Sequence, residues 1–382
     1  MKKRPTNPNP VGLRAPNRSG PRLSSPRAAS APVPVAYEAD TLDGLEAWSV
    51  RELEERLGGS VQIGRDAQNG RVAFRFAGNP HRLLACRSLL GVYRVLRFDV
   101  PRPKALLGHE HFSRLVAVVG EARRLHPSGA FRTLRLGAAG AESSVLQRLA
   151  RELETATGLL PEQDDQDLLV RLRRDDAHTG WEALISLSPR PLSSRPWRVC
   201  NLPGAMNAVL AYAMARHTIA ALPGADGTVL NLCCGSGTLL IERAALGPAT
   251  ALIGCDISPT ALECARVNVE AAGFGEQTIL HPWNAAQLPL PDQSVDVVLS
   301  DLPFGQRVGS HRENELLYPC LITEATRVAR PGAVLCLLTH EVRLLADVLR
   351  QQRAAWTVTD EWMVRAGGMN PRVFCAVRNA PA

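Results

Sequence analysis

A segment that reads Asp-Leu-Pro-Phe follows an apolar run, Val295 to Ser300, that has the composition of a strand. The Asp301 carboxylate and the carbonyl of Leu302 can each accept an N–H of an amine. Pro303 fixes the backbone beside them, and Phe304 offers a face on which a base can stack. These residues predict a site that methylates the exocyclic amine of a nucleobase. An ordinary exit from a strand into a loop is the alternative.

The chemistry of such an amine explains why these residues would suffice. Its lone pair is delocalised into the ring, so two acceptors on its N–H bonds are needed to localise that pair. Holding the amine in line with a methyl donor can contribute about 7 to 11 kcal/mol. The methylated nitrogen is an acidic cation that loses its proton readily. The reaction therefore needs no strong general base.

A second motif lies upstream, where an apolar run from Thr228 to Cys233 meets a turn with two glycines and then a helical stripe. Glycines at a helix N-terminus let the backbone approach a ligand closely. Asp256 ends the next apolar run, 19 residues beyond Gly237, where an acid can bind both ribose hydroxyls. Leu240 stands where a dinucleotide fingerprint has its third glycine. The pattern favours S-adenosylmethionine over NAD.

The predicted cofactor site includes residues of several loops. Asn284 ends a third apolar run, at the place of a polar residue that contacts adenine, although a simple turn residue is an equal alternative. The segment 201–207 precedes a helix and lies close enough to help hold the methionine end of the cofactor. The predicted cofactor-binding residues are Asn207, Asn231, Cys233, Cys234, Gly235, Ser236, Gly237, Asp256, Ile257, Asn284, Ala285 and Asp301.

The elements around these motifs alternate between strand and helix. Helical patterns occupy 238–246, 259–272, 313–330 and 341–353, and further strands are predicted at 251–255, 278–283, 333–338, 356–361 and 373–378. We expect an α/β fold, a seven-stranded and mostly parallel Rossmann-like sheet of the class I methyltransferase type with helices on both faces. Ligands of such sheets bind beyond the carboxyl ends of the strands, where all four predicted loops would meet.

The N-terminal half predicts an α+β region of small mixed sheets. Helical patterns occupy 37–57, 80–90, 109–125 and 143–157, and strands are predicted at 61–63, 71–76, 92–98, 131–136, 167–174 and 181–187. Arginines on or beside these strands, in the linker and after the Asp-Leu-Pro-Phe segment are candidates for phosphate contacts; solvated or packed arginines are the alternative. The predicted RNA-binding residues are Arg132, Arg135, Arg171, Arg173, Arg195, Arg198 and Arg307.

The net charge of +7 is concentrated at the start of the chain. Residues 1–37 carry seven basic side chains and no acid, which accounts for the whole excess. We expect a disordered basic tail at 1–36, which either attracts RNA through its phosphates or is a solvated extension.

The cysteines and apolar runs exclude several classes of protein. Nine cysteines without paired ligand spacing favour a reducing cytoplasm and no metal. Packing in the glycine turn accounts for the vicinal pair Cys233-Cys234 better than a redox role does. No apolar run is long enough for a membrane span.

These motifs resemble those of the THUMP-containing RNA guanine-N2 methyltransferases, and the layout is closest to the group that modifies guanosine 6 of tRNA. The resemblance covers about residues 40–378. It implies S-adenosylmethionine as the cofactor and tRNA as the partner, with the guanine amine bound by Asp301 to Phe304. The implied domains are a ferredoxin-like domain at 37–99, a THUMP-like RNA-binding domain at 100–188, a linker at 189–200 and the methyltransferase domain at 201–382.

Three positions depart from the family pattern. Asn231 stands where an acid is usual, Leu302 where a second proline is common, and Asn284 where an aspartate is frequent. Each can still supply a hydrogen-bond acceptor, so we expect an active enzyme. We also expect the protein to be a monomer. Methylation of a guanine in ribosomal RNA, or of a base amine in DNA, is an alternative. A noncatalytic RNA-binding protein with a decayed methyltransferase domain is another.

Overall fold

The structure is a computed structural model that describes residue 1 and residues 33–65, 67–162, 164, 166–175, 179–222, 227–303, 310–365 and 368–380. Residues from Pro34 onward form one compact unit. The predicted basic tail lies outside the described residues except at its two ends. Among the helices described, none has both the length and the apolar character needed to cross a membrane.

Eight strands and four α-helices occupy the described residues of the N-terminal half. In chain order they are β1 (Val35–Asp40), α1 (Glu46–Leu57), β2 (Val61–Ile63), β3 (Arg71–Phe76), α2 (His81–Leu84), β4 (Gly91–Phe98), α3 (His109–Arg124), β5 (Thr133–Ala138), α4 (Ser144–Thr157), β6 (Leu160–Pro161), β7 (Leu168–Arg174) and β8 (Trp181–Ser186). The helix predicted from residue 37 is wrong at its start, since β1 occupies 35–40. The backbone N–H and C=O groups of β1 are paired with those of β3 and β4, two partners that the local sequence pattern does not reveal.

All eight strands belong to one sheet, ordered β2-β3-β1-β4-β8-β7-β5-β6, which corrects the expectation of separate small sheets. The pairing of β4 with β8 is the reason: it joins the strands before residue 99 to those after it across a long sequence separation. One apolar core runs beneath both predicted domains, from Phe74 and Phe98 to Leu134 and Leu149. The domain boundaries themselves stay predictions.

Where the structure describes the C-terminal half, it has seven strands and five α-helices. They are α5 (Ala208–Ala221), β9 (Thr228–Leu232), α6 (Thr238–Ala244), β10 (Ala251–Cys255), α7 (Pro259–Ala271), β11 (Thr278–His281), β12 (Val295–Asp301), α8 (His311–Val328), β13 (Ala329–Thr339), α9 (Val342–Gln351), β14 (Trp356–Met363) and β15 (Arg372–Arg378). The order is β11-β10-β9-β12-β13-β15-β14, with only β15 antiparallel to its neighbours. The seven-stranded, mostly parallel sheet predicted from the sequence is confirmed.

The order of these strands reverses between β9 and β12, which pair in parallel. The chain runs outward from β9 through β10 to β11 on one side, and from β12 through β13 on the other. The loops that follow β9 and β12 therefore diverge and leave a crevice at the carboxyl ends of the strands. Both predicted motifs begin at this crevice.

The two halves of the chain share an apolar layer. Leu42 and Leu45, from the N-terminal half, pack with Val209 and Met214 of α5 in one buried cluster. Burial of apolar surface contributes about 25 cal/mol for each Å² removed from water. This packing holds the halves together as one body.

A buried carboxylate adds an ionic contact between the halves. Glu242 of α6 is fully buried, and its two oxygens accept hydrogen bonds from Arg87 Nε at 2.7 Å and Arg195 Nε at 2.8 Å. Arg87 belongs to the N-terminal half and Arg195 to the predicted linker. A second ion pair between the halves, Arg216 with Glu55, lies at the surface.

These two contacts predict different costs when they are broken. Glu242→Ala leaves the Arg195 guanidinium buried without its partner, so we expect it to destabilise the fold by about 3 to 5 kcal/mol. Arg216→Ala breaks an exposed pair and should cost about 1 kcal/mol or less. Urea denaturation of both variants measures the difference. Equal losses would show that Glu242 contributes no more than a surface pair.

Candidate active site

The turn after β9 has the backbone that a close approach to a ligand requires. Cys233, Gly235 and Gly237 adopt positive φ angles of 50°, 53° and 78°. A Cβ on Gly237 would lie 3.3 Å from the Ala265 side chain, so glycine is needed there on two counts. Among the described residues other than its chain neighbours, none comes within 4 Å of a Cβ built on Gly235, so that side of the turn is open to them. Cys234 is buried, which fits the packing role predicted for the vicinal pair.

A cavity of about 440 Å³ opens at this turn and extends to the end of β12. It is bounded by the loop that follows the linker, the glycine turn, the end of β10 with the start of α7, and the Asp-Leu-Pro segment. The lining residues are Leu202, Pro203, Gly204, Ala205, Met206, Asn231, Cys233, Cys234, Gly235, Ser236, Thr238, Leu239, Asp256, Ser258, Thr260, Ala261, Asp301, Leu302 and Pro303. Nine residues that the sequence predicted for catalysis or cofactor binding thus meet in one cavity.

Asp256 ties the end of β10 to the glycine turn. Its Oδ2 accepts the Gly235 N–H at 3.0 Å, and its Oδ1 accepts the Ser258 N–H at 2.9 Å. Each carboxylate oxygen keeps a further acceptor position. The carboxylate can therefore order the turn and still accept hydroxyl groups of a ligand.

Asn231 explains one departure from the family pattern. Its amide Nδ2 donates to the carbonyls of Leu232 and Leu299, at 3.2 and 3.1 Å, so it ties β9 to β12. A carboxylate could make neither contact, because it has no hydrogen to donate. The buried Oδ1 has no partner among the described residues and belongs to a side chain that lines the cavity. A buried acceptor without a partner is one that a ligand can satisfy.

Asp301 presents a second acceptor of the same kind. Its Oδ1 is buried and has no hydrogen-bond partner in the part of the chain that the structure describes. Burial raises the pKa of this carboxyl group to about 7, because desolvation disfavours the charged form. The group therefore titrates near neutral pH, as functional carboxyl groups often do.

The next two residues are held by their main chains. The Leu302 N–H donates to the Leu338 carbonyl at 2.9 Å, and the Pro303 carbonyl accepts the Tyr318 hydroxyl at 2.6 Å. Among the described residues, no group donates to the Leu302 carbonyl. With respect to the described part of the chain, the segment thus offers two free acceptors, Asp301 Oδ1 and the Leu302 carbonyl.

Several predicted site residues do not line this cavity. Asn207 caps α5, where its Oδ1 accepts the Val209 N–H at 2.8 Å, and it borders a smaller neighbouring cavity. Asn284 accepts the Ala286 N–H at 3.0 Å, which is the contact of a turn residue. Gly237, Ile257 and Ala285 are also absent from the lining. Phe304 and Arg307 lie outside the described residues.

The loop from Leu202 to Met206, part of the segment 201–207 that the sequence places near the cofactor, covers one side of the cavity. Sequence reasoning missed Thr238 and Leu239 at the start of α6, which also line it. Fully buried Asn268 of α7 holds this loop's origin, since its amide contacts the N–H and carbonyl of Cys200 and the carbonyl of Ser236. An asparagine inside a helical pattern would have been the signal.

One pair of cysteines corrects the expectation of unpaired thiols. Cys200 at the end of the linker and Cys264 of α7 form a disulfide, and the other seven cysteines are free. The partners are 64 residues apart, so no spacing in the sequence indicates them. Among the described residues, no cluster of histidine, cysteine or acidic side chains could hold a metal ion.

The predicted RNA-binding arginines fall into different environments. Arg195 is buried against Glu242, so a phosphate contact would have to break its ion pair, and its RNA contact stays a prediction. Arg171 pairs with Asp40, and Arg173 pairs with Glu38 and Glu182, but both keep 29% of their side-chain surface. For these two an RNA contact stays a prediction.

The remaining described arginines among the predicted ones also differ in how far they are buried. Arg198 is half-buried, and its Nη2 donates to the Met206 carbonyl and to Thr238 Oγ1, at 2.9 and 3.0 Å. It therefore supports the wall of the cavity, whatever else it contacts. Arg132 and Arg135 are exposed on and beside β5. These two are the predicted residues most open to a phosphate.

The fold and the cavity together define a Rossmann-like class I methyltransferase domain. Residues 195–372 match the model of the UPF0020 family, described as an RMKL-like methyltransferase domain. This part of the chain is similar to the domain that the family model describes. It includes every residue that lines the cavity.

Individual relatives match part of the chain. The human tRNA (guanine(6)-N(2))-methyltransferase THUMP3 is 30% identical over 193 residues, 47% of this chain and 37% of the relative. The cattle U6 snRNA (guanine-N(2))-methyltransferase THUMPD2 is 34% identical over 149 residues, 37% of this chain and 29% of the relative. Each match therefore spans well under half of the relative's length.

A solved structure resembles nearly the whole chain. TrmN from Thermus thermophilus aligns with a TM-score of 0.70 and 24% sequence identity, over 90% of this chain and 99% of that one. The likeness extends through the N-terminal half as well as the methyltransferase domain. At this identity it supports the fold.

The raised pKa of Asp301 predicts a pH-dependent stability. The folded-state pKa, about 7, lies above the value of about 3.9 expected for an unfolded aspartate, so the folded chain binds the extra proton. The contribution of this group to the free energy of unfolding therefore decreases as pH rises from about 4 to 7. Asp301→Asn removes that decrease. The stability of the variant relative to the wild type should be greater at pH 8 than at pH 5, by urea denaturation. An equal difference in stability between variant and wild type at pH 5 and at pH 8 would contradict a raised pKa of Asp301.

Proposed function

We propose that the chain transfers a methyl group from S-adenosylmethionine to the exocyclic N2 amine of a guanosine in RNA. The observation that carries this proposal is the pair of free acceptors, Asp301 Oδ1 and the Leu302 carbonyl, at the end of β12. They border the same cavity as the glycine turn and Asp256. An amine donor and a cofactor bound in that cavity would lie side by side.

The cavity residues fit the proposed cofactor. Asp256 can accept the ribose hydroxyls, the open side of Gly235 admits a close ligand, and Asn231 Oδ1 offers a buried acceptor to the methionine end. The loop 202–206 covers this end of the cavity. When bound, S-adenosylmethionine supplies an electrophilic methyl group on sulfur. Asn207, Gly237, Ile257, Asn284 and Ala285 remain proposed contacts at the margins of the site.

The protein's own part in the reaction is placement and polarisation of the amine. Asp301 Oδ1 and the Leu302 carbonyl each accept one amine N–H, which shifts the nitrogen lone pair out of conjugation. One group that stabilises developing charge contributes about 3 to 4 kcal/mol. The methylated nitrogen loses its proton to solvent or to Asp301. Phe304 is proposed to stack on the base.

The comparisons support N2 of guanine as the methylated atom and RNA as the substrate. The relatives named above act, by their names, on guanine-N2 of tRNA and of U6 snRNA. We propose tRNA as the substrate, modified at guanosine 6 of the acceptor stem, and the N-terminal half as the RNA-binding part. Exposed Arg132 and Arg135 support that role. We further propose a cytoplasmic monomer. The domain boundaries given above belong to this proposal.

The direct test is to incubate the purified protein with unmodified total tRNA and labelled S-adenosylmethionine. We expect the label in N2-methylguanosine after digestion and mass spectrometry, and mapping should place it at position 6. Label in ribosomal RNA alone would replace the substrate. Cofactor binding without any labelled RNA would count against an active enzyme.

Substitutions of Asp301 test the acceptor role. Asp301→Ala removes the acceptor, so we expect turnover to fall about a hundredfold or more while the cofactor still binds. Asp301→Asn keeps an amide oxygen that can accept one N–H, and its turnover should lie between those of the wild type and Asp301→Ala. Asp347→Ala, an exposed carboxylate on α9, is the control. Wild-type turnover by Asp301→Ala would exclude Asp301 from the chemistry.

The same carboxyl group predicts a pH profile. Only the ionised form offers both oxygens as acceptors, so kcat/KM should rise with pH through about 7, the pKa of Asp301 in the free protein. The residual activity of Asp301→Asn should lack this step. A wild-type profile that is flat between pH 6 and 8 would contradict the assignment.

A further inference from the structure

One buried hydroxyl touches the catalytic segment without lining the cavity. Tyr318 of α8 is fully buried, and its Oη lies 2.6 Å from the Pro303 carbonyl and 2.9 Å from Thr339 Oγ1. Thr339 ends β13 and is also fully buried, and its Oγ1 accepts the Glu341 N–H at 2.9 Å. Three hydrogen bonds thus connect the start of α9 to the Asp-Leu-Pro segment.

The two ends of this chain of hydrogen bonds fix its direction. The Glu341 N–H can only donate, and the Pro303 carbonyl can only accept. Tyr318 has one hydroxyl hydrogen, which goes to Pro303, so Thr339 must donate to Tyr318. Burial raises the pKa of Tyr318 above its ordinary value, which keeps the phenol protonated as this arrangement needs.

These contacts restrict the main chain on both sides of the proposed acceptor carbonyl. The Leu302 N–H is bound to the Leu338 carbonyl at 2.9 Å. A residue before proline is confined to extended conformations, and the ring of Pro303 fixes its φ. The ψ angle of Pro303 is the remaining freedom, and it sets the direction of the Pro303 carbonyl. The hydrogen bond from Tyr318 fixes that direction.

We propose that Tyr318 is a positioning residue, which holds the Asp-Leu-Pro segment so that the Leu302 carbonyl and the Asp301 carboxylate stay correctly placed for the amine. The inference rests on the proposed methyl transfer. It assigns Tyr318 no contact with the base or the cofactor. Its action is through the Pro303 carbonyl, and Thr339 acts through Tyr318.

A role in stability alone is the competing explanation, because the same bonds tie α8 to β13. The two roles differ in what they change. Loss of a structural bond lowers stability and leaves the turnover of the folded fraction unchanged. Loss of a positioning bond lowers kcat of the folded protein and leaves cofactor affinity unchanged. A shift of about 1 Å in reacting groups can cost about a hundredfold in rate.

Tyr318→Phe removes one oxygen atom and keeps the ring, so it isolates the hydrogen bond. We expect kcat for methyl transfer to RNA to fall about tenfold, the upper range for loss of one hydrogen bond. The dissociation constant for S-adenosylmethionine, measured by calorimetry, should stay within about twofold, and circular dichroism measures the folded fraction. Tyr212→Phe is the matched control: Tyr212 of α5 is buried, and its hydroxyl makes no hydrogen bond to the described residues.

Two substitutions of Thr339 test the next bond in the chain. Thr339→Val keeps the shape and removes the hydroxyl that donates to Tyr318, so kcat should fall by a smaller factor than in Tyr318→Phe. Thr339→Ser restores a hydroxyl and should recover wild-type kcat. This recovery would not occur if only the methyl group of Thr339 mattered for packing.

The outcomes separate this inference from the proposal beneath it. Unchanged kcat in Tyr318→Phe, in a wild type that methylates RNA, overturns the inference and leaves the proposed function in place. A loss explained by the folded fraction or by cofactor affinity overturns it too. A wild type that binds the cofactor and methylates no RNA overturns both.

Discussion

The parallel pairing of β9 with β12 is the constraint on which the site depends. Parallel neighbours end at the same edge of a sheet, so the glycine turn after β9 and the Asp-Leu-Pro segment after β12 must lie next to each other. Asn231 reinforces this pairing by donating to the Leu299 carbonyl across the two strands. An amine held by the β12 loop and a donor held by the β9 turn would then be brought together by the pairing of these two strands.

The buried polar atoms of the site fall into two groups with different tasks. Those of Tyr318, Thr339 and Asn268 are satisfied within the protein and fix the loops. Asn231 Oδ1 and Asp301 Oδ1 have no partner among the residues that the structure describes. Leaving a buried acceptor unsatisfied costs about 1 to 3 kcal/mol, a cost that the surrounding fold must offset. Hydrogen bonds within the protein therefore fix the loops around the cavity, and the acceptors that a ligand would contact are the ones without a partner in the described residues.

The ionic contact between the halves lies on the helix that borders the cavity. Glu242 lies on α6, the helix that starts at the glycine turn, and binds Arg87 of the N-terminal half and Arg195 of the linker. Arg198, three residues further along, supports Met206 and Thr238 at the cavity wall. The sequence could not tell whether Arg195 and Arg198 are packed or exposed, because an exposed arginine and a buried one have the same sequence signature. The partner, Glu242, is 47 residues away from Arg195.

The sequence by itself determined the alternation of strands and helices in the methyltransferase domain and the place of the site, because apolar periodicity and glycine turns are local signals. Asp256, Asp301 and the turn at 233–237 follow from such signals. Only the tertiary structure decided which strands of the N-terminal half join into one sheet, that Cys200 meets Cys264, and that Asp301 is buried enough to hold its proton near pH 7. Each of these depends on contacts between residues distant in the chain, and burial is a property of the neighbours a group acquires on folding.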